Sequence, residues 1–228
     1  MPQIHIPSKI DELPKHPNEG FEKFVNAVGE GRLKPGTVLT QAQLCEFLGV
    51  SLTPLREAIV LLEEYGLIEI KQRTGITILN PELSFIRENY QFRVMIEIEA
   101  LNAFAHSVSK DWLEQVRARH VELIAALKKD KKDMVAAEAF VALDQFVHTS
   151  IVSALGNRSV LATHNRLQQN IRMARVIHRS ASFTESLVTA AEEHLEIIDR
   201  IEAEDTEGAS ACLRRHFESS IYRTIITG

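Results

Sequence analysis

The spacing of apolar residues divides the chain into a short N-terminal part of mixed period and a long C-terminal part of purely helical period. Residues 1–17 are polar and carry four prolines (Pro2, Pro7, Pro14, Pro17), and read as a loose arm. Asn18 then caps a helix whose apolar face is Phe21, Phe24, Val25 and Val28. That helix stops near Gly31, and Lys34-Pro35-Gly36 forms a turn. Thr40 opens a second helix, with Gln43 at the capping-box position, and its apolar positions run through Leu44, Phe47 and Leu48 to Gly49. After Gly49-Val50-Ser51, Thr53 is predicted to cap a third helix with Pro54 at its first position and with Leu55, Ala58, Ile59 and Leu62 facing inward. The period then changes to two. Leu67 to Ile70 and Ile76 to Leu79 read as short strands around a glycine-containing tip, Lys71-Gln72-Arg73-Thr74-Gly75. This order predicts a winged helix-turn-helix within residues 1–80.

Pro81 pushes Asn80 out of the helical region and marks a boundary. Residues 81–228 carry only helical periodicity, broken at Lys129 to Asp133, Gly156-Asn157 and Asp205 to Gly208. Six helices fit, at roughly 82–107, 110–129, 132–155, 158–180, 184–204 and 207–226. Short links between them predict an antiparallel six-helix bundle, so the whole chain is mainly α.

Composition narrows the partners. The formal net charge of the 228-residue chain is −5. Any contact with nucleic acid must therefore come from a few placed cations rather than from a strongly basic domain. No uninterrupted apolar run approaches the ~20 residues of a membrane span, and the start, Met1-Pro2-Gln3-Ile4-His5, lacks the pattern of a secretory leader. No membrane association and a cytoplasmic location are expected. Cys45 and Cys212, far apart and within helical patterns, read as free thiols. No nucleophile arrangement, phosphate loop or dinucleotide fingerprint is present, so an enzyme is not expected.

In a helix-turn-helix the second helix enters the major groove and its first residues reach base edges. Here that segment is Ser51-Leu52-Thr53-Pro54-Leu55-Arg56-Glu57. Ser51 and Thr53 can bond phosphates beside the helix N-terminal amides, and Arg56, one turn in, can reach a guanine edge with both arms of its guanidinium. A local ion pair of Arg56 with a glutamate such as Glu63 is the competing reading. Lys71 and Arg73 at the wing tip can touch backbone or minor groove. The run from Leu33-Lys34-Pro35-Gly36-Thr37-Val38-Leu39 through Leu44, Leu48-Gly49-Val50-Ser51-Leu52-Thr53-Pro54-Leu55-Arg56-Glu57-Ala58 and on to Gly75 resembles the DNA-binding domain of the GntR family. The resemblance implies a role for Thr40, Ser51, Thr53, Pro54, Arg56, Lys71, Arg73 and Gly75 at double-stranded operator DNA, and with the weakness of a lone helix-turn-helix it implies a homodimer. Leu52 departs from the family, which usually has arginine there, so operator sequence or affinity is expected to differ.

A second constellation lies in the helical part. Asp144 and His148 are one turn apart, with Cβ atoms about 6 Å from each other on one face. His194 and His216 each stand eleven residues from Asp205 at the centre of a helix–helix turn. At ~1.5 Å per residue both climb ~16 Å, which places them at one level of an antiparallel pair. His194 shares its face with Leu187, Ile197, Ile198 and Ile201, and His216 with Ala209, Cys212 and Leu213, so both point inward. Three imidazoles and a carboxylate suit zinc, nickel or another first-row divalent ion. Each histidine taken singly reads as a satisfied core residue. Arg93 and Glu97, also one turn apart, are either a carboxylate clamp for a ligand or an intrahelical pair; Gln168 and Arg172, near Arg175, are either a second ligand contact or a solvated face. His106, His120, His164 and His178 read as surface or packing residues.

The pieces Arg93-x-x-x-Glu97, Asp144-x-x-x-His148, Glu193-His194 and Asp205…Ala211…Arg215-His216 are similar to the FCD-type effector domain of the FadR-like branch of that family. The resemblance implies a divalent metal on Asp144, His148, His194 and His216, with a small carboxylate effector, and a regulator that represses more often than it activates. Two alternatives stand beside it. One is a metal-dependent hydrolase with an appended winged helix, against which Glu193 points about 100° away from His194's face. The other is a regulator whose metal is purely structural.

Overall fold

The computed structural model describes residues 18–71, 74–79, 83–177 and 183–225. The N-terminal arm, Gln72 and Arg73 of the wing tip, the Asn80-Pro81 junction and His178 lie outside the described residues. The chain forms two compact units, one comprising Pro14–Arg87 with Asn170–Arg179, the other containing Glu88–Gln169 and Ser180–Gly228.

The first unit is built on α1 (Glu19–Gly29), α2 (Gln41–Leu48) and α3 (Leu52–Glu64), followed by a small sheet. Local signals set each start. The Asn18 side chain accepts from Phe21 N at 3.0 Å, and its amide donates to Pro54 O and Glu57 Oε2, both at 3.1 Å, tying the mouth of α1 to α3. Thr40 and Gln43 form the reciprocal capping box that the sequence predicts, and Gly49 closes α2 in the left-handed region at φ 63°. The start of α3 differs from expectation. Leu52 is its first residue and Ser51, in an extended conformation with no side-chain cap, precedes it, so Thr53 lies inside the helix and Pro54 at its third position. The first-turn N–H groups have no partner within the helix, so a proline two residues later costs no hydrogen bond.

β1 (Val38–Leu39), β2 (Ile68–Lys71) and β3 (Gly75–Ile78) form an antiparallel sheet in the order β1-β3-β2. The two-residue β1 is not visible in the apolar pattern; its pairing of Val38 with Thr77 and Leu39 with Ile76 holds it. Ile76 and Ile78 alternate inward and join Phe21, Phe24, Leu44, Leu55 and Leu62 in one apolar core. Gly75 has φ +112°, and a Cβ there would meet Leu39 O at 2.7 Å, so the close approach of β1 accounts for its glycine.

The described residues of the second unit lie mainly in helices: α4 (Leu83–Ser107), α5 (Lys110–Lys129), α6 (Met134–Ser153), α7 (Arg158–Ile177), α8 (Phe183–Glu202) and α9 (Thr206–Ile225), with the start of α4 and the end of α7 assigned to the first unit. Ser109 and Asp133 cap α5 and α6 by accepting from Trp112 N and Ala136 N. Asp205 accepts from Gly208 N at 2.9 Å in the turn between α8 and α9, which pack side by side. Tyr90 of α4 bonds Ser220 and Thr224 of α9 at 2.9 and 3.0 Å. One helix corrects the hydropathy reading: α6 is long and apolar enough to cross a membrane by length and composition, with 67% of its most apolar window buried inside the fold. That burial is what a core helix shows. Cys45 and Cys212 are free thiols.

Candidate metal centre

Asp144 and His148 lie on α6, His194 on α8 and His216 on α9, and all four side chains are buried. One ligand atom from each, a carboxylate oxygen or a ring nitrogen, lies within 4.8 Å of every other. The tight turn at Asp205 gives His194 and His216 equal rise, and their ring centroids are 4.7 Å apart. The His148 ring is 5.1 Å from that of His194 and 5.2 Å from that of His216. Asp144 Oδ1 stands 3.7 Å from His148 Nε2 and 3.6 Å from His194 Nε2.

What each ring nitrogen does on its other side decides what the cluster can hold. His148 Nδ1 donates to Glu97 Oε2 at 2.6 Å, His216 Nδ1 donates to Glu193 Oε2 at 2.7 Å, and His194 Nδ1 lies 3.0 Å from His120 Nε2. With Nδ1 engaged in all three, the three Nε2 atoms are the ones turned to the cluster, and none has a hydrogen-bond partner although all are buried. Buried polar atoms are otherwise nearly always paired. Three converging lone pairs next to a carboxylate repel one another, and a cation among them removes that cost. The donor set, imidazole nitrogen with one carboxylate oxygen, fits zinc, nickel and similar divalent ions, with outer partners of the kind that orient ligating histidines.

Electrostatics favour the same state. Burial is the largest influence on His148 and takes its imidazole down to about 4, with the Arg93 charge adding to the effect and Glu97 opposing it. Burial, then the neighbouring His216 and His148, hold His194 well below its ordinary value. Both rings are therefore neutral near pH 7, the form a metal requires. Glu97 is the reverse case. Burial pushes its carboxyl up, but the charge of Arg93 and the hydrogen bonds from His148 and His164 outweigh it and keep it ionised. Glu193 is likewise pushed up by burial and drawn down further by hydrogen bonds from His216 and Arg223.

Glu97 is the hub of this network. Its Oε1 accepts from Arg93 Nε at 2.6 Å and from His164 Nε2 at 2.8 Å. The intrahelical pair is thus present, yet it does not exhaust the arginine. Arg93 is 1% exposed, its guanidinium lies 5.0 Å over the Phe217 ring, and its Nη2 has no hydrogen-bond partner among the described residues. His164, donating its Nε2–H to Glu97, presents Nδ1 as a buried acceptor, also unpartnered among the described residues. A donor and an acceptor are thereby both anchored on the carboxylate that holds His148.

Residues 88–219 match the FCD domain family, and residues 21–78 match the family of bacterial regulatory proteins, gntR family. The chain belongs to the GntR family, with an FCD domain as its C-terminal part. Among relatives, the HTH-type transcriptional regulator YdhC of Bacillus subtilis is 23% identical over 92% of this chain and 91% of its own length. The HTH-type transcriptional repressor RspR of Escherichia coli is 22% identical over 82% of this chain and 78% of its own. Among solved structures, E. coli McbR/YncC superposes with a TM-score of 0.69 at 20% identity, covering 90% of this chain and 95% of that one. The metal-free FCD domain of TM0439 does so with a TM-score of 0.51 at 24% identity, covering 65% and 96%. This GntR-family chain is a DNA-binding transcriptional regulator, and the hydrolase alternative falls with that assignment.

Two histidines of the regulator need correction. His120 and His164, read as surface or packing residues, are fully buried and bonded into the network. Each is a single polar residue on an apolar stripe, and its partner is 74 or 67 residues away, so no local spacing points to it. A signal was nonetheless present: Leu113, Val116, His120, Leu123 and Leu127 recur at three- and four-residue steps, with one imidazole inside the stripe. His106, by contrast, is exposed, and its Nδ1 bonds Asn102 O one turn back.

The remaining predicted residues are not at this centre. Gln168 is buried and donates to Thr149 Oγ1 at 3.2 Å and towards Gln145 O at 3.4 Å. Arg172 belongs to the other compact unit and makes a two-armed ion pair with Glu22 at 3.0 and 3.1 Å. On the helix-turn-helix, Ser51, Thr53 and Arg56 are exposed and Pro54 is half-buried. Arg56 has no ion-pair partner among the described residues; Glu57 accepts instead from Asn18, and Glu63 from Ile70 N. Thr40 is engaged in its capping box and Lys71 pairs with Glu69 at 2.9 Å.

Proposed function

We propose that this regulator binds a palindromic operator as a homodimer and that a small organic acid, taken up beside a divalent metal in the helical domain, controls that binding. The observation that carries the proposal is the set of three buried, unpartnered Nε2 atoms converging with Asp144. Asp144, His148, His194 and His216 would hold the ion, zinc or nickel by donor type, and the ion would supply a Lewis-acid anchor for a carboxylate oxygen. Arg93 Nη2 donates to a second oxygen of the same acid, and His164 Nδ1 accepts from a hydroxyl where the acid carries one. On the DNA side Ser51 and Thr53 meet phosphates, Arg56 reads a guanine edge, Pro54 stiffens the first turn of the recognition helix, and Lys71 and Arg73 contact the backbone. Leu52, 42% exposed at the head of α3, replaces a charged contact with an apolar one. The effector works through its unequal affinity for two arrangements of the dimer. The cytoplasm is the place for such an exchange, and repression is its expected sign, in line with relatives such as RspR.

The test is a thermal-shift series of small carboxylic acids on metal-loaded and chelated protein, followed by operator-binding titrations. Removing a metal held at a thousand times its Kd should lower stability by about 4 kcal/mol. One acid should then raise Tm only with metal present and Arg93 intact, and should change operator affinity. If chelation lowers Tm but no acid changes Tm or operator affinity, the metal is structural and the effector mechanism is wrong.

A further inference from the structure

Of the three histidines in the cluster, two lean on carboxylates, Glu97 and Glu193, and one does not. His194 leans on another imidazole. His120 projects from α5, is 0% exposed, and lies with its ring centroid 5.2 Å from that of His194 at an interplanar angle of 72°. Phe140 packs against both rings, at 6.0 and 6.1 Å, and both imidazoles are buried.

The protons of this pair follow from one carbonyl. His120 Nδ1 is 2.7 Å from Val116 O, one turn back on the same helix. A carbonyl oxygen only accepts, so Nδ1 of His120 carries the hydrogen. A neutral imidazole has one N–H, so its Nε2 is an acceptor. The partner 3.0 Å away, His194 Nδ1, must then be the donor. A neutral His194 with its hydrogen on Nδ1 has its lone pair on Nε2, the atom facing Asp144.

We infer that His120 is a positioning residue: the Val116 carbonyl, acting through His120, fixes the tautomer and aim of His194 and so completes the metal site. This rests on the metal-binding reading of the cluster. The arrangement does for His194 what a carboxylate does for the other two rings, without adding a third outer carboxylate. Glu193 is bound by Arg223 through two hydrogen bonds and Glu97 by Arg93, so each outer negative charge is matched locally. A neutral third partner leaves Asp144 as the one anionic ligand. An ion held there keeps net positive charge with which to attract an organic anion.

Two variants of the full-length protein separate positioning from packing. His120→Leu fills the space without an acceptor, while His120→Gln can accept from His194 and donate to Val116 O. Affinity for nickel, measured by competition with a chelator, should fall roughly 10- to 100-fold in His120→Leu. It should stay within the wild-type order of magnitude in His120→Gln, whose metal-free Tm should match that of wild type. Selective 15N-histidine spectra of the metal-free chain provide a readout that needs no metal. Wild type and His120→Gln should show His194 with its hydrogen on Nδ1, and His120→Leu a mixture of tautomers. A wild-type His194 protonated on Nε2 overturns the inference, as does equal nickel affinity in all three proteins. Equal loss in both variants together with a lowered metal-free Tm also overturns it, by assigning His120 a packing role. Wild type that shows the expected tautomer but binds no metal leaves the relay standing and refutes the metal reading instead.

Discussion

In the N-terminal unit the interior is apolar, and Asn18 is the buried polar side chain among its described residues before α4. In the helical unit Arg93, Glu97, His120, Asp144, His148, His164, His194 and His216 are all buried, most of them linked by hydrogen bonds. The first unit exposes its candidate DNA-contacting side chains, Ser51, Thr53 and Arg56. The second turns its candidate functional side chains inward, where each needs a partner from the protein. Function and stability are therefore separable in the head and coupled in the bundle, and substitutions can be chosen to test that difference.

The sharpest break comes from the hub. Removing one member of a buried ion pair leaves the other desolvated and uncompensated, a loss of about 3–5 kcal/mol. Glu97→Ala strands Arg93, His148 and His164 together and should fall in that range in urea unfolding of the metal-free protein. Glu19→Gln in the head disrupts an exposed pair, Lys23 with Glu19 at 2.7 Å, and should change stability by less than about 0.5 kcal/mol. Similar losses from the two substitutions would remove the contrast between the regions.

Acid should open the same gap. A histidine with a depressed folded pKa is protonated more readily in the unfolded chain, so the stability it contributes is present above its unfolded value and lost as the pH falls. For His148 the interval runs from 6.5 down to about 4, of order 3 kcal/mol at most. His194, His120 and His164 shift in the same direction through burial. Glu97 and Glu193, with depressed carboxyl values, add their own losses below the ordinary carboxylate range. Chelated protein should therefore lose Tm steeply between pH 7 and pH 5. The residues of the head, whose described core residues include no histidine, should keep their hydrogen-exchange protection over that interval. Equal loss of protection in the head would mean that the two units unfold as one.

How much of this is legible before folding depends on how far the informative contact reaches along the chain. The Asn18 cap and the Thr40–Gln43 box act over three residues, and α1 and α2 begin where those residues predict. At α3 two hydroxyl residues compete for the cap, neither bonds it, and the start moves to Leu52. The level of His194 with His216 is readable across 22 positions because a tight turn makes the two rises equal. His120 and His164 are not readable in that way, since helix packing alone decides which neighbour an imidazole meets. β1 is lost for a similar reason: two residues have no period, and only their pairing with β3 makes them a strand.

The smallest effect, and the one that isolates the head, concerns Arg56. It is exposed, carries no ion pair among the described residues, and is one turn from the start of the recognition helix. An arginine bidentate to a guanine contributes about 1–3 kcal/mol of discrimination. Arg56→Ala should cost that much in operator affinity at fixed salt and relax preference at one base pair, with Tm unchanged because the side chain is exposed and without an ion pair among the described residues. Arg56→Lys should recover the charge but not the two-armed contact, restoring salt-dependent binding without the base preference. If Arg56→Ala lowers affinity equally for operator and random DNA, the arginine contacts phosphate. Reading would then fall to other residues of α3, with the apolar Leu52 next in line for a thymine methyl.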